Sequence, residues 1–192
     1  MLHAQVQLTL PAWVQGHVDM ARAYVGDEAK VALAIELSRM NVDAGSGGPF
    51  GAAVFNADDD CIVSVGVNRV LPLNCSVAHA ETMAYMLTQQ RLQRSRLNRD
   101  LDDNVVGRFV LATSAQPCCQ CYGATVWAGI DRLLIGARSE DVEALTPFDE
   151  GPLPADWTGE LRRRGIEVVR DIHCDAACDV LRSYGESNAG RY

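Results

Sequence analysis

Two short runs of this chain carry side chains that can hold and use a metal ion: His79-Ala80-Glu81 and Pro117-Cys118-Cys119-Gln120-Cys121. Zinc favours thiolate and imidazole ligands, and two cysteines three positions apart at a helix start can face one ion. His79, Cys118 and Cys121 therefore form a candidate ligand set, His79 and Cys118 standing 39 positions apart. Three protein ligands leave a fourth position for water, the arrangement of a catalytic rather than a closed structural zinc. Glu81 sharpens this reading. Two positions from a ligand at a helix start, its carboxylate can reach a water at the fourth position, take its proton and hand it on. A zinc-stabilised binding module, the non-enzymatic alternative, has no use for a carboxylate placed there.

The other cysteines bear on the same question. The chain has seven, an odd number, with Cys61 and Cys75 alone and Cys174 and Cys178 as a second pair. That usage suits reduced thiols and a metal site better than a disulfide framework, and implies the cytoplasm. Neighbouring helical residues point about 100° apart, so Cys119 reads as a filler thiol beside the two ligands. Cys174 and Cys178, four apart on an apolar helix, read as buried thiols in preference to a second metal site with His173.

Such residues must be set on the ends of regular elements. From Asp27, read as an N-cap, DEAKVALAIELSRMNVDAG puts Leu33, Leu37 and Met40 on one helical stripe and stops at Gly45. FGAAVFNA and CIVSVGVNR, joined by the acidic turn Asp58 to Asp60, predict an antiparallel hairpin. After the loop VLPLNCS, AHAETMAYMLTQQRLQRS repeats Ala80, Met83, Ala84 and Leu87 at helical spacing, with arginines toward the C-terminal end, where the helix dipole favours them. GRFVLATS reads as a buried strand, QPCCQCYGATVWAGI as a turn and helix, and DRLLIGAR as the next strand. Beyond the loop TPFDEGPLPADW come a short helix near Gly159 to Arg164, the strand IEVV, and a last helix with Ala176, Ala177, Val180, Leu181 and Tyr184 on one face. Alternating strands and helices predict a layered α/β sheet, with HxE and PCxxC each at a loop-to-helix junction. Residues 1–26 lack a clear period and read as an N-terminal extension, 27–185 as one domain and 186–192 as a tail.

Composition narrows the partners. A chain of 192 residues, 48% hydrophobic, is long enough for one core, and at this length folding hides about 70% of the extended chain's surface. A metal is not needed to hold such a fold, so one bound here serves chemistry. Aspartates and glutamates number 25 against 17 lysines and arginines, a formal charge of −8, which repels phosphate backbones and anionic lipid. Polymeric nucleic acid and membrane are therefore excluded as expected partners. No apolar run approaches the roughly 18 residues of a membrane helix, and the start MLHAQVQLTLPAWVQGH has no basic n-region and is interrupted by Pro11, so it reads as unprocessed. The run Arg162 to Arg164 reads as a solvated face, and GSGGP lacks the lysine of a phosphate loop.

Beyond its two motifs, the chain resembles the cytidine deaminase-like superfamily and, within it, the bacterial guanine deaminase branch. GGPFGAAVF, GVNRV, AHAE, PCCQCYGATVWAG and FDEG occur in the family's order over residues 27 to 151. The resemblance implies a three-layer α/β/α fold around a five-stranded mixed sheet, Zn2+ as cofactor, and hydrolytic deamination of a small heterocycle, guanine to xanthine and ammonia first. A triazine such as ammeline and cytosine or a nucleoside are the alternatives; adenosine in tRNA fits worst, because the acidic charge disfavours a phosphate backbone.

Residue by residue, the resemblance implies that Asn68 hydrogen-bonds the ring, that the Ala80 amide faces its carbonyl oxygen, and that Phe50 and Trp127 shape the pocket. Glu81 shuttles the proton and Glu150 serves the departing amine. The branch further implies a homodimer in which the C-terminal segment crosses to the partner and Tyr192 closes the pocket. Taken alone, Phe50 and Trp127 are ordinary core aromatics, Asn68 ends a strand and Glu150 is a loop acid, so those roles rest on the resemblance. The chain departs from the family pattern at Cys119, Gln120, Thr146 and Pro147, positions that bear on pocket shape rather than on zinc.

Overall fold

The computed structural model describes residues 2–187. Eight helices run along them: α1 Trp13–His17, α2 Asp27–Asp43, α3 Val70–Leu73, α4 Ala80–Leu92, α5 Cys119–Ala128, α6 Ser139–Leu145, α7 Trp157–Arg163 and α8 Cys174–Glu186. Five strands, β1 Gly51–Asn56, β2 Ile62–Val67, β3 Phe109–Ala115, β4 Arg132–Ala137 and β5 Glu167–Val169, form one sheet in the order β2-β1-β3-β4-β5. The first half of the sheet is antiparallel: β1 pairs with β2 as the expected hairpin and with β3 on its other side. The second half is parallel, β3 with β4 and β4 with β5, each joined by a helical crossover.

Period-two burial splits the strand residues between two cores. On one face Ala53, Phe55, Val110, Ala112 and Leu134 pack under α2, α6 and α8. On the other Ala52, Val54, Leu111, Leu133 and Ile135 pack under α4, α5 and α7. Because both faces are covered, the strands read as nearly continuous apolar runs rather than alternating ones. The result is the expected three-layer α/β/α architecture around a mixed five-stranded sheet.

Several details differ from expectation. Asp27 is the first residue of α2, and Gly26 is its N-cap; both Asp27 carboxylate oxygens are taken by Arg132 at 2.9 Å, a bidentate pair that leaves none for capping. VLPLNCS contains the short helix α3, closed by Asn74 in the left-handed region. The segment before Asp27 lies on the domain: Val14 and Tyr24 are buried, Trp13 Nε1 donates to Ser46 Oγ at 3.0 Å, and Ala23 bridges Cys61. Lys30, buried beneath this segment, donates to the Tyr24 carbonyl at 2.8 Å and to Asp60 at 2.7 Å.

Candidate active site

The metal-ligand candidates stand at helix starts. His79 is the N-cap of α4 and Cys118 the N-cap of α5; both have extended backbones, and neither uses its side chain to cap its helix. The side chains turn to each other instead. His79 Nδ1 lies 3.5 Å from Cys118 Sγ and 3.6 Å from Cys121 Sγ. Nitrogen and sulfur ligands about 2.0 and 2.3 Å from a tetrahedral zinc lie about 3.5 Å apart, so the donor set fits zinc in both type and spacing. Glu81, in the first turn of α4, accepts from Cys121 Sγ at 3.3 Å. A carboxylate at that end of a helix is favoured by the exposed amide dipoles.

A buried side-chain contact joins α4 to α5. One turn beyond Glu81 and Cys121, the Tyr85 hydroxyl meets Thr125 Oγ1 at 2.9 Å in a buried hydrogen bond. Thr125 Oγ1 in turn donates to the Cys121 carbonyl at 2.8 Å. Below, α4 lies directly on β2 at Gly66, where a Cβ atom would stand 2.0 Å from the Ala80 carbonyl oxygen. Only glycine permits that approach.

Beside this cluster is a cavity of about 370 Å³ lined by Phe50, Asn68, Ser76, His79, Glu81, Gln116, Cys118 and the loop residues Pro147 to Glu150. It opens where β2 and β3 end and α4 and α5 begin, the crevice at which α/β sheets usually bind ligands. Asn68, at the end of β2, is 1% exposed; its Oδ1 accepts from the Gly48 and Val70 amides at 3.4 and 3.3 Å, which orients the carboxamide on the cavity wall. Phe50 and Phe148 meet with centroids 5.5 Å apart, and Phe148 stacks on Tyr184 of α8. Thr146, one of the residues that departs from the family pattern, sets this loop: its hydroxyl donates to the Val142 carbonyl at 2.7 Å and accepts from the Phe148 amide at 3.2 Å. The Glu150 carbonyl accepts from the Cys119 amide at 2.9 Å, and Gly151 follows with φ +68°, where a Cβ atom would stand 2.6 Å from the Cys119 sulfur.

Both cavity carboxylates are buried, Glu81 at 6% exposure and Glu150 at 7%. Burial pushes Glu81 up to about 7, with the negative charge of Cys118 adding to it and His79 opposing. Burial pushes Glu150 up to about 8, reinforced by Cys118, Glu81, Glu143 and Asp149. Within the thiol pair, the hydrogen bond from Cys121 holds Cys118 low and, conversely, Cys121 is raised.

The fold thus brings His79, Cys118, Glu81, Glu150, Asn68 and Phe50 to one cavity, with Cys121 buried behind them against His79 and Glu81. Ala80 is wholly buried as the first residue of α4, where its amide belongs to the turn that lacks intrahelical acceptors. Trp127 stands apart from this cavity. It is 79% exposed and lies in a shallow apolar groove with Val77, Tyr85 and Met86. At about 100° per residue, six positions separate it from Cys121 by roughly 240° around α5, so the helix that aims the thiol inward aims this indole outward. Tyr192 lies outside the described residues. Gln116, Ser76, Phe148 and Asp149 line the cavity without having been singled out; their only signal was adjacency to PCxxC, HxE and Glu150. Gln116 is held at both ends of its amide, donating to Ser139 at 3.1 Å and accepting from Arg170 at 3.3 Å.

A model of the cytidine and deoxycytidylate deaminase zinc-binding region matches residues 25–137. A solved structure of guanine deaminase from Nitrosomonas europaea is 41% identical, covers 97% of this chain and 99% of that one, and superposes with a TM-score of 0.88. A solved structure of NE0047 in complex with 2,6-diaminopurine is 42% identical over 97% of this chain and 95% of that one, with a TM-score of 0.87. The probable cytosine deaminase of Schizosaccharomyces pombe is 36% identical over 120 residues, 62% of this chain, and the match spans 65% of that relative's length. The matched region includes both helix starts that carry the three donors and Glu81, and the chain belongs to the cytidine and deoxycytidylate deaminase zinc-binding family.

Proposed function

We propose that this chain is a zinc-dependent guanine deaminase, hydrolysing guanine to xanthine and ammonia. The observation that carries the reading is the pair of buried carboxylates, Glu81 and Glu150, on the wall of one cavity beside three converging zinc donors. The cavity is near the lower end of the roughly 300–1,000 Å³ range of ligand pockets, which suits a small ring. Likeness over nearly the full length to a guanine deaminase, and to a structure holding a diaminopurine, supports a purine.

Zinc, when held by His79, Cys118 and Cys121, supplies Lewis acidity that brings the pKa of water from roughly 15.7 toward roughly 7. Glu81 takes the proton of the attacking water and delivers it to the ring nitrogen beside the reacting carbon. The carbon–nitrogen bond to the exocyclic amine then breaks as Glu150 protonates the departing nitrogen, and the hydroxyl left on that carbon gives up its proton, which restores Glu150, to become the carbonyl of xanthine. Asn68 and the Ala80 amide hold the polar edge of the ring, while Phe50 and Phe148 pack against its apolar surface. The enzyme acts in the cytoplasm in purine breakdown, as the odd number and clustering of its seven cysteines support. It works as a homodimer, the assembly its resemblance implies, with the tail 186–192 crossing and Tyr192 closing the pocket.

Ammonia release tests the substrate across guanine, cytosine, ammeline and adenosine, compared by kcat/KM. Guanine is expected to exceed the others. A higher value for cytosine would overturn the reading in favour of a cytosine deaminase, which the likeness to the yeast relative supports. An active monomer in sedimentation would remove the crossing tail.

A further inference from the structure

Among the described residues, one set of metal-ligating side chains converges outside the catalytic centre. Cys174 is the first residue of α8 and Cys178 lies one turn on, with their sulfurs 3.9 Å apart. Asp141 of α6 faces them, its Oδ2 lying 3.5 Å from Cys174 Sγ, and ligand atoms of all three residues lie within 4.8 Å of one another. Two thiolates about 2.3 Å from a tetrahedral ion stand about 3.8 Å apart, and a thiolate and a carboxylate oxygen about 3.5 Å apart. The observed spacings match both.

We propose that Asp141, Cys174 and Cys178 form a second cation site for a thiophilic divalent ion of the zinc or cadmium class, clasping α6 to α8. Asp141 is preset for this: its Oδ2 accepts from the Arg138 amide at 3.0 Å, which holds the carboxylate toward α8. The basic side chain beside the cluster, Arg138, is bonded through Nε to Asp171 at 2.7 Å. Two thiols and a carboxylate thus share a small space, a donor set of the soft and anionic kind that a thiophilic divalent cation favours. His173, the neighbour with ligand chemistry, is not in the set; it stands at φ +53° as the N-cap of α8. All three ligands are half-buried rather than sealed, so the ion exchanges with solvent.

Cadmium titration of the zinc-loaded protein under reducing conditions tests the site, with zinc content followed by metal analysis. One further equivalent of cadmium is expected per chain, with a thiolate-to-cadmium charge-transfer band, while the catalytic zinc is retained. The band should vanish in the double variant Cys174→Ser/Cys178→Ser and persist in Cys119→Ser. Asp141→Asn keeps an oxygen for the Arg138 amide but removes the charge. It should weaken cadmium binding by at least the about tenfold that loss of an outer-shell partner costs. Circular dichroism reports that each variant is folded, and turnover within twofold of the parent is expected for Cys174→Ser/Cys178→Ser and for Asp141→Asn. No further equivalent, or one that survives in the double variant, overturns the proposal; should the double variant fail to fold, unchanged cadmium affinity in Asp141→Asn does so.

Discussion

The two cysteine pairs of this molecule use the same chemistry in different surroundings. Cys118 and Cys121 sit at the start of a helix that follows a parallel strand, so their sulfurs meet a histidine from a second helix start at the edge of a cavity. Cys174 and Cys178 also open a helix, but they face an aspartate of α6 on the outer layer, and neither lines the substrate cavity. Three convergent donors are enough to attract a thiophilic ion. Catalysis asks for more: room for a substrate beside the ion and a carboxylate that can move a proton, which Glu81 provides only at the first pair.

Removing one catalytic ligand should break that contrast most severely. Cys121→Ala is expected to lose most of the zinc and, with it, turnover; full zinc content in the purified variant would unseat the ligand set. Glu81→Gln separates metal binding from proton transfer, and should retain zinc while turnover falls by at least about a hundredfold. Activity within a few fold of the parent would transfer the proton role to another group. Glu150→Gln should also lower turnover without loss of zinc, and a normal rate would confine Glu150 to shaping the loop. Gly66→Ala probes the support beneath the site. A Cβ 2.0 Å from the Ala80 oxygen should cost roughly 1–3 kcal/mol by overpacking, read as a lowered melting midpoint, and should slow turnover because α4 carries His79 and Glu81. The smallest effect belongs to the outer pair: Cys174→Ser/Cys178→Ser should leave kcat/KM for guanine within twofold, and a larger loss would couple the two thiol pairs.

Where a signal is local in sequence it was legible. The spacing of HxE and PCxxC, the hairpin turn at Asp58 to Asp60 and the helical stripe beginning near Leu33 each need only a few consecutive residues. Tertiary placement was not. Gln116 and Ser76 reach the cavity because β3 and the loop before α4 end there, and Phe148 because Thr146 turns it inward, facts that no period encodes. The segment before Asp27 has no repeating pattern because its burial is piecemeal, through Val14, Tyr24 and the Trp13–Ser46 hydrogen bond. Trp127 is matched by resemblance, while its helical phase, counted from Cys121, turns it away from the donors of its own chain.

The substrate cavity has one rigid wall and one retunable wall. Glu81 and the zinc donors are fixed by main-chain contact between α4 and β2 and by the buried Tyr85–Thr125 hydrogen bond. Pro147, Phe148 and Asp149 instead ride on a loop steered by the Thr146 hydroxyl and moored to α5 through the Glu150 carbonyl. A laboratory selection for acceptance of a different amino-heterocycle should therefore accumulate its changes at residues 146–149 and leave the helix starts untouched. The reaction type and the choice of ring can then diverge at different rates within one scaffold, because the residues that set them hang from different parts of it.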